Sequence, residues 1–178
     1  MPSSNPDRTP KFALPSPKPS DPPDVPGDMA ALTARLEQLL TLASMGRYLA
    51  ADSGAPKEQW VPVNMDSTDA AHTSADAGVL AAAGGGISIV DEGVYAFQFT
   101  CQVGLGVNGV LRVVSGSDSL ATAPIISQPY GSGTVTGIVR LPAGATLVGQ
   151  LYMYAASTAT TVLGGRTLTF LRVFELSP

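Results

Sequence analysis

The sequence predicts a mainly β chain: an antiparallel sandwich or jelly roll over 59–178, after a proline-rich arm (1–27), a short helix (28–45) and a linker (46–58). Three observations carry this reading. Nine of the fifteen prolines fall before residue 27. The apolar spacing changes from a helical rhythm before residue 45 to alternation after Gln59. Glycine and proline then recur at short intervals, as they do between many short strands.

In the arm, the prolines at 10, 15, 17, 19, 22, 23 and 26 remove amide donors and fix φ. Helix and sheet interior are thereby closed to it, and polyproline II with turns is the expected state. Phe12, Leu14 and Val25 are unusual choices for a spacer. Set among Pro15, Pro17, Asp21 and Pro26, they suit a segment that docks in a partner's groove at low ordering cost. A linker with incidental apolar residues is the alternative.

Asp28 follows Pro26-Gly27 and precedes Met-Ala-Ala-Leu, the pattern of a helix N-cap. Met29, Leu32, Leu36, Leu39 and Ala43 are then spaced 3, 4, 3 and 4 residues apart, an a/d seam. About two heptads are marginal alone in water. The helix is therefore expected either to form a short trimeric stalk or to pack on the β domain.

From Gln59 the period is two. Trp60, Val61 and Val63 give a first short strand. Residues 66–78 read as a polar loop. The clearest strand is Val94–Val103, with Tyr95, Phe97, Phe99, Cys101 and Val103 on its core face. Further strands are expected over Ile87–Val90, Gly109–Ser115, Thr134–Leu141, Thr146–Ala155, Thr160–Leu163 and Arg166–Leu176.

Charge narrows the function. The net charge is −4, and the β part offers only four scattered arginines: Arg112, Arg140, Arg166 and Arg172. Phosphate backbones need clustered cations, so nucleic acid is not an expected partner. Only eleven charged residues lie between Asp66 and the C-terminus, which suggests faces covered by neighbouring subunits. Membrane insertion is not expected, because the least polar run, Gly78–Val90, is too short and too rich in glycine. The N-terminus shows no apolar signal region, so synthesis in the cytoplasm is expected.

Catalytic patterns are weak throughout. The single imidazole, His72, lies between Asp69 and Asp76, where exposed loop polarity explains it better than a metal site. Asp91-Glu92 before Gly93 reads as a turn rather than an acid–base pair. Gly84-Gly85-Gly86 lacks the Lys-Ser or Lys-Thr of a phosphate loop. The lone Cys101 sits in an apolar strand and reads as a buried, inert thiol. The chain is expected to be no enzyme and to hold no cofactor or metal. Binding is left to loop tips, where Ser117, Asp118, Gln128, Tyr130 and Ser157 offer hydroxyl, amide and aromatic groups suited to a host-surface glycan.

Two resemblances sharpen this. Ile87-Ser-Ile-Val-Asp-Glu-Gly-Val-Tyr-Ala-Phe-Gln-Phe resembles the strand–turn–strand core of C1q/tumour-necrosis-factor-like jelly rolls. Arg140-Leu-Pro-Ala-Gly-Ala-Thr-Leu and Leu168-Thr-Phe-Leu-Arg-Val resemble a later turn and the closing strand of that family. The resemblance covers about residues 59–176 and implies a compact trimeric head. The segment from Thr9 in the arm to Leu32 in the expected helix is similar to the N-terminal segment of minor tail and fibre proteins of phages that infect actinobacteria, departing from it at Lys18 and Pro23. That similarity implies attachment of residues 1–27 to another tail or baseplate protein, with the head facing outward from the virion. A capsid decoration or head-fibre protein would share the build. A cell-wall depolymerase is a third reading, for which long β bodies and carboxylate clusters are missing.

Overall fold

The computed structural model describes residues 42–74, 80–126, 130–157 and 160–177. The chain divides into two units, Met1–Leu42 and Ala43–Pro178, and the second is the β domain. The arm and stalk residues Phe12, Leu14, Pro15, Pro17, Asp21, Val25, Pro26, Met29, Leu32, Leu36 and Leu39 lie outside the described residues, as does Gln128.

The described strands are β1 (Ser44–Tyr48), β2 (Ser53–Gly54), β3 (Trp60–Pro62), β4 (Ser67–Thr68), β5 (Leu80–Ala83), β6 (Gly86–Ile89), β7 (Gly93–Gln102), β8 (Gly109–Ser115), β9 (Asp118–Pro124), β10 (Ser132–Leu141), β11 (Thr146–Met153), β12 (Thr161–Val162) and β13 (Phe170–Ser177). One 3₁₀ turn, Ala70–His72, follows β4. A front sheet runs in the order β10-β7-β13-β1-β4, and a back sheet in the order β5-β6-β11-β8-β9, with β3 also on β11. All the pairings are antiparallel. The chain leaves the front sheet after β7, makes β8 and β9 in the back sheet, and returns as β10. That alternation between two sheets is the jelly roll expected from the strand pattern.

The core lies between the sheets. Tyr95, Phe97, Phe99, Cys101 and Val103 point into it from β7 and its end, as the alternation predicts. Leu111 and Val113 of β8, Leu147, Leu151 and Met153 of β11, and Leu171 and Val173 of β13 meet them. Gly149 lies between Leu147 and Leu151 because Phe99 occupies its side-chain space; a Cβ there would sit 2.6 Å from the ring. The segments of the family resemblance map onto β6–turn–β7, the turn between β10 and β11, and β13.

Two expected boundaries are corrected. The helix expected over 28–45 cannot include Ser44 and Met45, which open β1, and the linker expected over 46–58 contains the rest of β1 and all of β2. Ala43, expected on the trimer seam, is instead buried in the β-domain core. Its carbonyl accepts the Glu175 amide at 2.8 Å, and β1 then pairs with β13 from Ser44↔Phe174 to Tyr48↔Phe170. The reason is the open edge of β13, whose amides need partners. Satisfying them outweighs the helical spacing of one alanine.

Candidate functional surfaces

Strand alternation sends every second residue of the front sheet outward. Along β10 these are Ser132, Thr134, Thr136, Ile138 and Arg140, all exposed. Beside them β7 presents Val94, Ala96, Gln98 and Thr100, and β13 presents Arg172 and Phe174. Ile138, Ala96 and Phe174 fall in one cross-strand row. Ile138 is 70 % exposed, and Leu176, beyond the row, is 42 % exposed. Arg140 at the margin is paired with Glu92 at 3.0 Å. This is a broad face of hydroxyls, amides and apolar side chains with little charge.

The other side of that face is covered. Gly46 of β1 has no side chain, so the 69–72 turn lies directly on it, with the Asp69 amide donating to the Gly46 carbonyl at 2.7 Å. The Asp69 side chain is 1 % exposed. Its carboxylate accepts from the Ala71 amide at 3.2 Å and meets His72 Nδ1 at 2.7 Å and Arg172 Nη2 at 3.4 Å. Arg166 Nη1 stands 3.8 Å away. Burial alone would raise its pKa. The hydrogen bonds from His72 and Ala71, with the charges of His72 and Arg166, outweigh that and hold the carboxyl below its ordinary range. The stretch expected to be exposed loop polarity is thus an ordered clamp at Asp69 and His72. It joins two carboxylate oxygens to one imidazole and two arginines. Among the described residues, no group of three or more His, Cys, Asp or Glu is placed to hold a metal ion.

The predicted loop residues separate. Ser117 lies in the exposed turn between β8 and β9, and Asp118 begins β9 rather than a loop. Tyr130 is 59 % exposed and is not among the residues (Ala123, Pro124, Ile126, Ser132, Gly133 and Thr134) that line a shallow groove nearby in sequence. Ser157 is no surface residue. It is buried, and its hydroxyl donates to the Asn108 carbonyl at 2.8 Å and accepts the Asn108 amide at 3.0 Å, pinning one loop to another. Lys57 Nζ donates to the Ser157 carbonyl as well. Ser117, Tyr130 and Ser157 therefore do not share one site. Cys101 is fully buried, and burial pushes its thiol up to about 12 against a small opposing hydrogen bond from Thr169.

One surface was not anticipated. On the outward face of the back sheet, Trp60 of β3 sits opposite Tyr152 of β11. Their ring centroids are 5.5 Å apart, and those of Tyr152 and Tyr154 5.8 Å apart. Arg112 of β8 places its guanidinium 4.0 Å above the Trp60 ring and donates from Nε to Gln150 Oε1 at 2.8 Å. The signal in the sequence was slight: Tyr152 and Tyr154 alternate with core residues of β11, but only the sheet register brings Trp60 and Arg112 to them.

No family model matches the sequence, and no curated protein matches it closely. Solved structures do. Murine APRIL superposes with a TM-score of 0.57 at 14 % identity, covering 76 % of this chain and all of that one. An Eiger tumour necrosis factor from S. frugiperda gives 0.55 at 12 % identity, covering 76 % of this chain and 92 % of that one. The globular domain of zebrafish complement 1qA gives 0.51 at 18 % identity, covering 75 % and 97 %. The fold is therefore the tumour-necrosis-factor/C1q jelly roll. These similarities concern the fold alone.

Proposed function

We propose that this chain is a non-catalytic display protein of a bacteriophage particle, a minor tail protein or short fibre. Its β domain assembles as a homotrimer that binds the host surface, and residues 1–27 attach it to another tail or baseplate protein. The observation that carries the assembly is the outward face of the front sheet. A lone subunit leaves Ile138 70 % exposed in a cross-strand row with Ala96 and Phe174, on a face that is not charged enough to favour solvent. Association of three copies covers such faces around one axis. The seam Met29, Leu32, Leu36 and Leu39 supports association of copies from the sequence side. The arm's similarity to phage tail proteins supports the location. A binding role fits a domain whose titratable groups, Asp69 and His72 among them, are tied into structural contacts.

Mass in solution tests the assembly. The full chain should sediment as a trimer, and Ile138→Asp should shift it to smaller species. A monodisperse monomer at micromolar concentration sinks the reading. Cross-linking from residues 1–27 in assembled particles tests the attachment. A tail or baseplate protein is the expected partner. A capsid protein would instead make the chain a head decoration.

A further inference from the structure

We infer that the aromatic row Trp60–Tyr152–Tyr154, with Arg112 and Gln150 beside it, is a glycan-binding site on the outward face of the back sheet. For its biological setting the inference rests on the host-surface role proposed above; the site itself is argued from its geometry.

Large aromatic side chains on a sheet face that is not part of the core need a reason, because the apolar area they offer is useful only when covered. Here three rings are consecutive, and Tyr154 at the outer end is 45 % exposed. The apolar faces of pyranose rings stack on aromatic rings, and their hydroxyls need planar donors and acceptors at the ring edge. Both requirements are met. Arg112 is fixed over Trp60 and by Gln150 Oε1, so it is held in place before a ligand arrives. Among the described residues its Nη donors and the Gln150 amide nitrogen have no hydrogen-bond partner, and Thr122, opposite Arg112 on β9, adds an exposed hydroxyl. Arg112 is the single charge in these two cross-strand rows, so the occupant is rich in acceptors and is neutral or acidic.

The rings, 5.5 and 5.8 Å apart and tilted by 55° and 67°, lean edge to face on one another, and Arg112 covers Trp60, so Tyr154 offers the open ring on which a sugar can stack. The row also lies on the opposite sheet from the face assigned to assembly, so three copies would remain open and act together.

Trp60 is the only tryptophan of the chain, so its emission reports this site alone. The test titrates the full-length protein with neutral and acidic oligosaccharides of glucose, galactose, mannose and arabinose, and separately with a synthetic peptide of residues 1–27. At least one sugar should shift Trp60 emission saturably. Tyr154→Ala and Arg112→Gln should each weaken that binding roughly tenfold, as truncation of an anchoring contact does, with the unfolding midpoint preserved. Thr68→Ala, on β4 at the edge of the front sheet, should leave it unchanged. The inference is overturned if no sugar moves the emission, if both variants bind as the parent does, or if only the peptide binds. Mass measured on the same samples keeps the two readings apart. Sugar binding by a monomer would sink the trimer alone, and a host-binding trimer whose emission sugars leave still would sink the row alone.

Discussion

Asp69 shows how one buried carboxylate can organise a surface. Its folded pKa is held below the usual 3.8, so its contribution to stability is complete above the unfolded value and is lost as pH falls through the folded one. Unfolding midpoints followed from about pH 5 to about pH 2.5 should fall more steeply for the parent than for Asp69→Asn, which has no charge to lose. Parallel curves would show that the clamp is not charge-dependent. Cys101 makes the complementary case. Its thiol is buried and pushed up to about 12, so a thiol reagent at neutral pH should label it only as fast as the domain opens. Labelling of the native protein at the rate of the unfolded chain would contradict that placement.

At the scale of elements, close approach between strands decides what each position tolerates. Gly149 on β11 admits Phe99 of β7, the strand that spans the front sheet. Phe99 is fully buried and has nowhere to retreat. Gly149→Ala should therefore cost about 1–3 kcal/mol, the usual penalty of overpacking, read as a lower denaturant midpoint at unchanged m-value. Gly46 plays the same part on β1, where a Cβ would meet His72 Cβ at 2.9 Å and lift the Asp69 turn. Both glycines transmit side-chain packing from one layer to the next, and neither is needed for a turn.

For the whole molecule, assembly and folding are linked. If the outward front face is covered by neighbours, the trimer is more stable at higher protein concentration by mass action. The melting temperature should rise with concentration for the parent and become independent of it for Ile138→Asp; independence in both would place the face in solvent. The arm has its own test. Cleavage by trypsin after Arg8 and Lys11 should be rapid in the free protein and suppressed in assembled particles. Equal rates in both states would argue against docking.

The β alternation of residues 93–103 determined on its own that Tyr95, Phe97, Phe99, Cys101 and Val103 form the centre of the core, because a period of two allows only one choice of face. Glycine and proline spacing marked most of the remaining strands within a few residues. Local pattern misled at β1. Met45 and Leu49 do alternate inward, but Arg47 between them broke the apolar signal; its Nη2 donates to the Met65 carbonyl, which makes burial possible. The edge of β13 then recruited a segment that local pattern had divided between the end of a helix and a linker. Surface sites were the least legible, since Trp60, Arg112, Tyr152 and Asp118 become neighbours, or cease to be loop residues, only through cross-strand register. Periodicity is a local property and fixes faces. Register between strands distant in sequence is a property of the closed sandwich, and it alone decided which side chains share a surface.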